Sequence, residues 1–149
     1  MISIAFICTA NRCRSVMAHA ICAAEQTRRQ LAIDIYSAGV CDFSDQPPIK
    51  DTLNTCVRHG TPVPKEEPTF VGSLQLDRID RFLAMEQHHA DALIREFGVS
   101  PERISLLAEF DPQNRGRDIA DPFGQGRAVY DKSYRQIRDC VVSYLDTVS

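Results

Sequence analysis

Cys8 and Arg14 stand with five residues between them in the stretch Phe6-Ile7-Cys8-Thr9-Ala10-Asn11-Arg12-Cys13-Arg14-Ser15. A thiolate attacks electrophilic centres, and a guanidinium presents a planar fork that grips two oxygens of an oxyanion. An arginine returning across so short a loop can hold a phosphate-like group while Cys8 attacks its central atom. The hydroxyl of Ser15 adds a donor that can ease departure of the sulfur afterwards. Either residue alone reads as ordinary packing or as a surface charge; the pair at this spacing reads as a nucleophile with its anion clamp.

Such a pair needs a strand before it and a helix after it. Ile2 to Ile7 is an apolar run that reads as a buried strand, and Met17, Ala20, Ile21 and Ala24 recur at helical spacing. The stretch is therefore a strand-to-helix turn. Loop and first-turn N–H groups have no internal partners there, and with the positive end of the helix dipole they converge on a bound anion. A cysteine in that field should ionise easily. The N–H groups of Thr9, Ala10, Asn11, Arg12, Cys13 and Ser15 are the candidate anion ligands.

The rest of the chain alternates strand and helix without repeat or linker. The first helix should end near Gln30, and Ile33 to Ala38 reads as a second strand closed by Gly39. The loop from Val40 to Pro48 leaves the same sheet edge as the Cys8 loop. Its Phe43 is either a wall of the cleft or ordinary loop packing, and Ser37 could brace the nucleophile loop from beneath. Ile49 to His59 reads as a helix stopped by Gly60, and the proline-rich stretch from Pro62 to Pro68 as irregular. Arg81 to Met85 is the third strand, Glu86 to Phe97 a helix ending at Gly98, and Ile104 to Leu107 the fourth strand. Strands joined through helices predict an α/β fold: a four-stranded parallel sheet with helices on both faces, flavodoxin-like and doubly wound, with right-handed crossovers. Ligands of such sheets bind beyond the carboxyl ends of the strands, where the Cys8 loop lies.

From Glu109 to Gly126 the chain is polar and turn-rich, a length of loop that in a compact domain usually serves function. Hydrolysing an ester needs a proton for the departing oxygen, and a carboxylic acid on this loop can supply it. Asp121, Asp118 and Asp111 compete for that role. Pro122 fixes the backbone beside Asp121, and Phe123 can shield its carboxyl from water. Tyr130, Tyr134, Ile137, Val141 and Leu145 then give a closing helix its core-facing stripe.

Composition sets the frame. The 149 residues make one domain, and a net charge of −3 gives no broad attraction to nucleic acid or to an acidic membrane surface. No apolar run is long enough to span a bilayer, and Met1 opens into a strand rather than a signal peptide, so the expectation is a cytoplasmic protein. The six cysteines form no C-x-x-C pair and His88-His89 has no i,i+4 partner, which argues against a metal. Cys13 shares the loop of Cys8 and could close a reversible, protective disulfide with it, or could simply pack beneath the loop.

Cys-x5-Arg-Ser in the first turn of so short a chain resembles the low-molecular-weight protein tyrosine phosphatases, with the related bacterial arginine phosphatases and thioredoxin-coupled arsenate reductases. Ser37-Ala38-Gly39, Ala84-Met85, and Arg117-Asp118 with Asp121-Pro122 are similar to that family's later landmarks, in the same order. The resemblance implies a cysteine-dependent phosphatase that hydrolyses phosphotyrosine in proteins through a phosphocysteine intermediate, with Cys8, Arg14 and Asp121 catalytic and no cofactor. Its partners would be a phosphorylated protein or peptide, with inorganic phosphate or another oxyanion held in the Cys8 loop.

Several positions depart from the family pattern. Ala10 stands where Gly is usual, Val16 where many members have Pro, and the neighbourhood of Glu66 where a supporting His is common; the last two would loosen the loop. Arg12 replaces a small or aliphatic residue and is either a solvated surface charge or part of the cleft rim, where it would favour acidic phosphotyrosine segments and repel a phosphoarginine guanidinium. Asp121-Pro122-Phe123-Gly124 with Tyr130 also resembles the arginine-phosphatase branch. The arsenate-reductase reading needs a cysteine pair after the third strand, and residues 78 to 100 contain none. A silent phosphate-binding module is the remaining alternative.

Overall fold

β1 (Ile2–Cys8) is the strand on which the sheet is built, pairing in parallel with β2 (Ile33–Gly39) on one side and β3 (Arg81–Ala84) on the other. The short β4 (Ile104–Leu106) pairs in parallel with β3, giving the order β2-β1-β3-β4. This computed structural model describes residues 1–64, 67–113, 115–116 and 118–148. Glu66, Asn114 and Arg117, which entered the sequence reading, lie outside the described residues. The four-stranded, parallel, doubly wound architecture expected from the sequence is the one observed.

Alternation along β1 divides the core. Ile4 and Phe6 pack with Met17 and Ile21 of α1 (Arg14–Arg29) and with Tyr134, Ile137 and Val141 of α4 (Arg127–Val148). Ala5 and Ile7 face the other way, against Val71, Phe82 and Val99 and against Leu93 of α3 (Gln87–Phe97). Each fully buried Ile, Phe or Leu of this kind contributes on the order of 1.5–3 kcal/mol. α2 (Lys50–Arg58) supplies the buried Cys56 to the first layer. The stripe predicted for the closing helix is buried throughout, joined by Cys140 and Tyr144.

Element ends agree with the sequence to within a residue or two. α1 stops at Gln30 in the left-handed conformation, and α3 at Gly98 likewise. β4 is one residue shorter than expected, because Leu107 to Phe110 forms a 3-10 turn whose Leu107 is buried in the α1/α4 layer. Pairing of Cys8 with Gly39 brings the carboxyl ends of β1 and β2 to one edge. Val40 N–H donates to Cys8 C=O at 3.0 Å and Cys41 N–H to Thr9 C=O at 2.9 Å, so the two loops leaving that edge run side by side.

Candidate active site

Residues 9–13 carry the chain from β1 into α1, whose first turn has no capping side chain and no acidic residue. Its free N–H groups are thereby left to a ligand. Asn11 makes the tight turn with φ +54, a left-handed conformation that asparagine tolerates better than most residues. Its side chain is 1% exposed, accepting from Thr69 N–H at Oδ1 (2.8 Å) and donating from Nδ2 to Ser15 Oγ (2.7 Å). With its lone pair so occupied, the Ser15 hydroxyl can direct its hydrogen to Cys8 Sγ, 2.9 Å away.

Arg14 is 2% exposed, and two acceptors aim its guanidinium. Its Nη1 donates to Glu86 Oε2 at 2.5 Å and to the carbonyl of Ile119 at 2.7 Å. Its Nη2 lies 3.9 Å from Asp121 Oδ2. Burial alone would raise the Glu86 carboxyl, but the hydrogen bond and charge of Arg14, with His88 and His89, hold it below the usual carboxylate range. Glu86 is thus the counter-charge that keeps Arg14 oriented when no anion is present.

Of the three candidate carboxylates, Asp121 is the one that shares a cleft with Cys8. It lines a cleft of about 210 Å³ together with Cys8, Arg12, Arg14, Phe43 and Phe123. Asp118 instead accepts the backbone N–H of Gln87 at 3.0 Å, and Asp111 is buried, accepting from Gln113 N–H and from Gln136 Nε2. Phe123 N–H donates to Asp121 Oδ1 at 3.0 Å, a local turn that orients the carboxyl. The ring of Phe123 is 59% exposed and the Asp121 side chain 51%, so the expected shielding of one by the other is not seen; the ring stands as a wall of the cleft.

Thr9, Ala10 and Cys13 also line the cleft, as does Ile49, which the sequence reading passed over. Phe43 is a wall rather than loop packing. Arg12 faces the cleft as well, its Nε donating to the carbonyl of Pro47 at 2.9 Å. The side chains of Asn11 and Ser15, whose backbone N–H groups are the candidate anion ligands, are not among those lining the cleft. They stand behind the loop as braces, because the left-handed turn at Asn11 directs its amide inward.

Cys13 is buried and points to Tyr130, Sγ to hydroxyl 3.6 Å. Burial pushes its thiol up to about 12 despite that contact, and all six cysteines are free. It packs against Tyr130 beside the cleft, with burial holding its proton. Glu86, His88 and His89 place three donor atoms within 4.8 Å of one another. Glu86 is committed to the Arg14 guanidinium, however, and both ring nitrogens of His89 are hydrogen-bonded within the protein.

Glu86 and His89 escaped the sequence reading. The available signal was positional: both follow β3 at the sheet edge that also carries Cys8. At Gly39, the strand end within the Ser37-Ala38-Gly39 landmark, a Cβ would lie 2.6 Å from the carbonyl oxygen of Thr9. The absence of a side chain lets the nucleophile loop rest directly on β2.

Residues 3–149 match the family model described as low molecular weight phosphotyrosine protein phosphatase. The low molecular weight protein-tyrosine phosphatase A of Mycobacterium tuberculosis is 28% identical over 150 residues, covering 97% of this chain and 90% of that one. A protein-arginine-phosphatase of Bacillus subtilis is 27% identical over 136 residues, covering 91% and 87%. Among solved structures, a mutant of YwlE from Bacillus subtilis superposes with a TM-score of 0.88 at 22% identity, covering 99% of each chain.

Proposed function

The chain belongs to the low molecular weight phosphotyrosine protein phosphatase family, and from that premise we propose that it hydrolyses phosphotyrosine in proteins through a phosphocysteine intermediate. Cys8, as thiolate, attacks phosphorus while Arg14 and the N–H groups of Thr9 to Ser15 stabilise the equatorial oxygens. Asp121 donates a proton to the departing phenolic oxygen. Water then attacks the phosphocysteine with Asp121 taking its proton, and the Ser15 hydroxyl, already 2.9 Å from Cys8 Sγ, stabilises the thiolate that leaves. The six free cysteines fit a reducing cytoplasm as its place of work.

The cleft wall carries the choice of phosphorylated side chain. Phe43, Ile49 and Phe123 give apolar sides suited to an aromatic ring, and Arg12 brings a positive charge among them. A phosphoarginine guanidinium would meet that charge unfavourably, whereas a phenyl ring flanked by an acidic side chain would not. Arginine phosphatase activity is the second reading, favoured by Asp121-Pro122-Phe123-Gly124 and by the similarity to a protein-arginine-phosphatase. Matched peptides carrying phosphotyrosine or phosphoarginine decide between them. The expected result is a higher kcat/KM for phosphotyrosine that narrows in Arg12→Thr; faster release of phosphate from phosphoarginine by the unsubstituted chain would reverse the assignment.

A further inference from the structure

Thr9 follows the nucleophile and lines the cleft, and its Oγ1 is 2.8 Å from Nε2 of His89. His89 is fully buried in the first turn of α3, and its other ring nitrogen, Nδ1, lies 3.1 Å from the backbone nitrogen of Glu86. A backbone amide can only donate, so Nδ1 must be the bare acceptor. The neutral ring then carries its hydrogen on Nε2, which donates to Thr9 Oγ1. The hydroxyl cannot turn its own hydrogen along that same line. That hydrogen is left for an acceptor elsewhere. Burial, with the charges of His88 and Arg14, lowers His89 to about 3, which keeps the ring neutral and the direction of donation fixed at neutral pH.

The same construction serves Cys8 from the other side. There the sequence runs from Thr69 N–H to Asn11, from Asn11 to Ser15, and from Ser15 to the sulfur. Both relays start at a backbone amide outside the loop, pass through a buried side chain and end on a hydroxyl at the reaction centre. The Ser15 hydroxyl has sulfur in front of it; the Thr9 hydroxyl belongs to a residue that lines the cleft.

We propose that the Thr9 hydroxyl donates a hydrogen bond to a non-bridging oxygen of the bound phosphoryl group, and that His89 is the positioning residue that holds it in the donating orientation. This rests on the cleft being a phosphate-ester site. A purely structural tie between the loop and α3 would instead need the contact only for stability.

The test is binding of inorganic phosphate to the full-length chain, followed by calorimetry, alongside turnover of para-nitrophenyl phosphate and a melting curve for each variant. Loss of a hydrogen bond to a charged group should weaken phosphate binding by on the order of tenfold in Thr9→Val, while Thr9→Ser stays within about twofold. His89→Phe should lose the same factor, and the double variant no more than either single one. His89→Gln, whose amide can accept from Glu86 and donate to Thr9, should recover most of the loss. Phosphate affinity within twofold of the parent in Thr9→Val, or a double variant that loses the product of the two single factors, overturns the proposal. Should His89→Phe fail to fold, His89→Leu, which likewise lacks a donor for Thr9, takes its place in the same comparison. Phosphate binding without hydrolysis of any ester would sink the phosphatase reading and leave the relay standing; turnover with an indifferent Thr9→Val would do the reverse. No phosphate binding by the parent chain overturns both.

Discussion

Replacing Gly39 with alanine tests whether the nucleophile loop is seated on β2 as closely as the structure has it. The added Cβ would lie 2.6 Å from the Thr9 carbonyl oxygen, 2.7 Å from the Ala10 carbonyl carbon and 2.8 Å from Ala10 Cα, all of them backbone atoms. Ordinary contact begins near 3.4 Å, so the loop must lift by about 0.8 Å. It cannot slide freely, because Val40 and Cys41 on the same strand exit hold the carbonyls of Cys8 and Thr9. Displacement of about 1 Å at a reacting group costs on the order of 100-fold in rate. Overpacking of this kind costs about 1–3 kcal/mol in stability, which the domain should survive. The assay is kcat/KM for para-nitrophenyl phosphate on protein shown to be folded by near-ultraviolet circular dichroism. The expected result is a fall of roughly two orders of magnitude, carried mainly by kcat. A folded Gly39→Ala within about threefold of the parent would mean that the loop does not depend on this seat, and the reasoning from the close approach would be wrong.

Three further outcomes are expected. Asp121→Asn should lower kcat by on the order of 10²–10⁴ for phenyl phosphate and by much less for para-nitrophenyl phosphate, whose leaving group needs little protonation; equal losses on the two esters would remove Asp121 as the acid. Glu86→Gln should lower the urea midpoint and raise KM, since it leaves buried Arg14 without its counter-charge. The cost should fall below the roughly 3–5 kcal/mol of a fully buried pair because Glu86 is 25% exposed, and an unchanged midpoint would refute the pairing. His89, lowered from 6.5 to about 3, is a base that the unfolded chain protonates and the folded chain does not. Its contribution to stability is full above pH 6.5 and is lost as pH falls from there toward 3, by up to about 1.4 kcal/mol per pH unit. Urea midpoints between those limits should therefore decline less steeply in His89→Gln than in the parent; parallel declines would contradict a neutral buried ring.

What was legible in the sequence was local, and what was not came from contacts made at long range. Cys8 and Arg14 share one loop, and Asp121 sits in a short run with its proline and phenylalanine, so residue types and spacing sufficed. Glu86 meets Arg14 across 72 residues and His89 meets Thr9 across 80. Read along the chain, a glutamate before a helix is only a helix start and a buried histidine only a core residue. Asn11 was assigned to the anion loop by its position, but nothing in its spacing reveals a left-handed φ or an amide turned away from the cleft. The end of β4 was misjudged for a related reason: Leu107 is as apolar as a strand residue, and only its packing in the α1/α4 layer distinguishes a turn from a continued strand.

Arg14 also ties the Cys8 loop to the loop that carries Asp121. That loop is fixed at its middle: Ile119 N–H donates to the carbonyl of Met85 at 2.9 Å, Ile119 C=O accepts from Arg14, and Asp118 caps the N-terminal turn of α3 through Gln87 N–H. Ile119 itself is fully buried. Asp121 therefore lies only two residues past an anchored point and has little freedom to wander from the cleft, whereas Phe123, exposed and followed by Gly124 and Gly126 at positive φ, has more. If Asp121 is the acid proposed above, its orientation is largely settled before substrate arrives, and the ordering cost on binding falls on Phe123. Because the same guanidinium holds both Glu86 and the Ile119 carbonyl, loosening Arg14 would disturb clamp and acid together, and effects of Glu86→Gln and Asp121→Asn on turnover should be less than additive. Strict additivity in that double variant would separate the two functions that the structure joins.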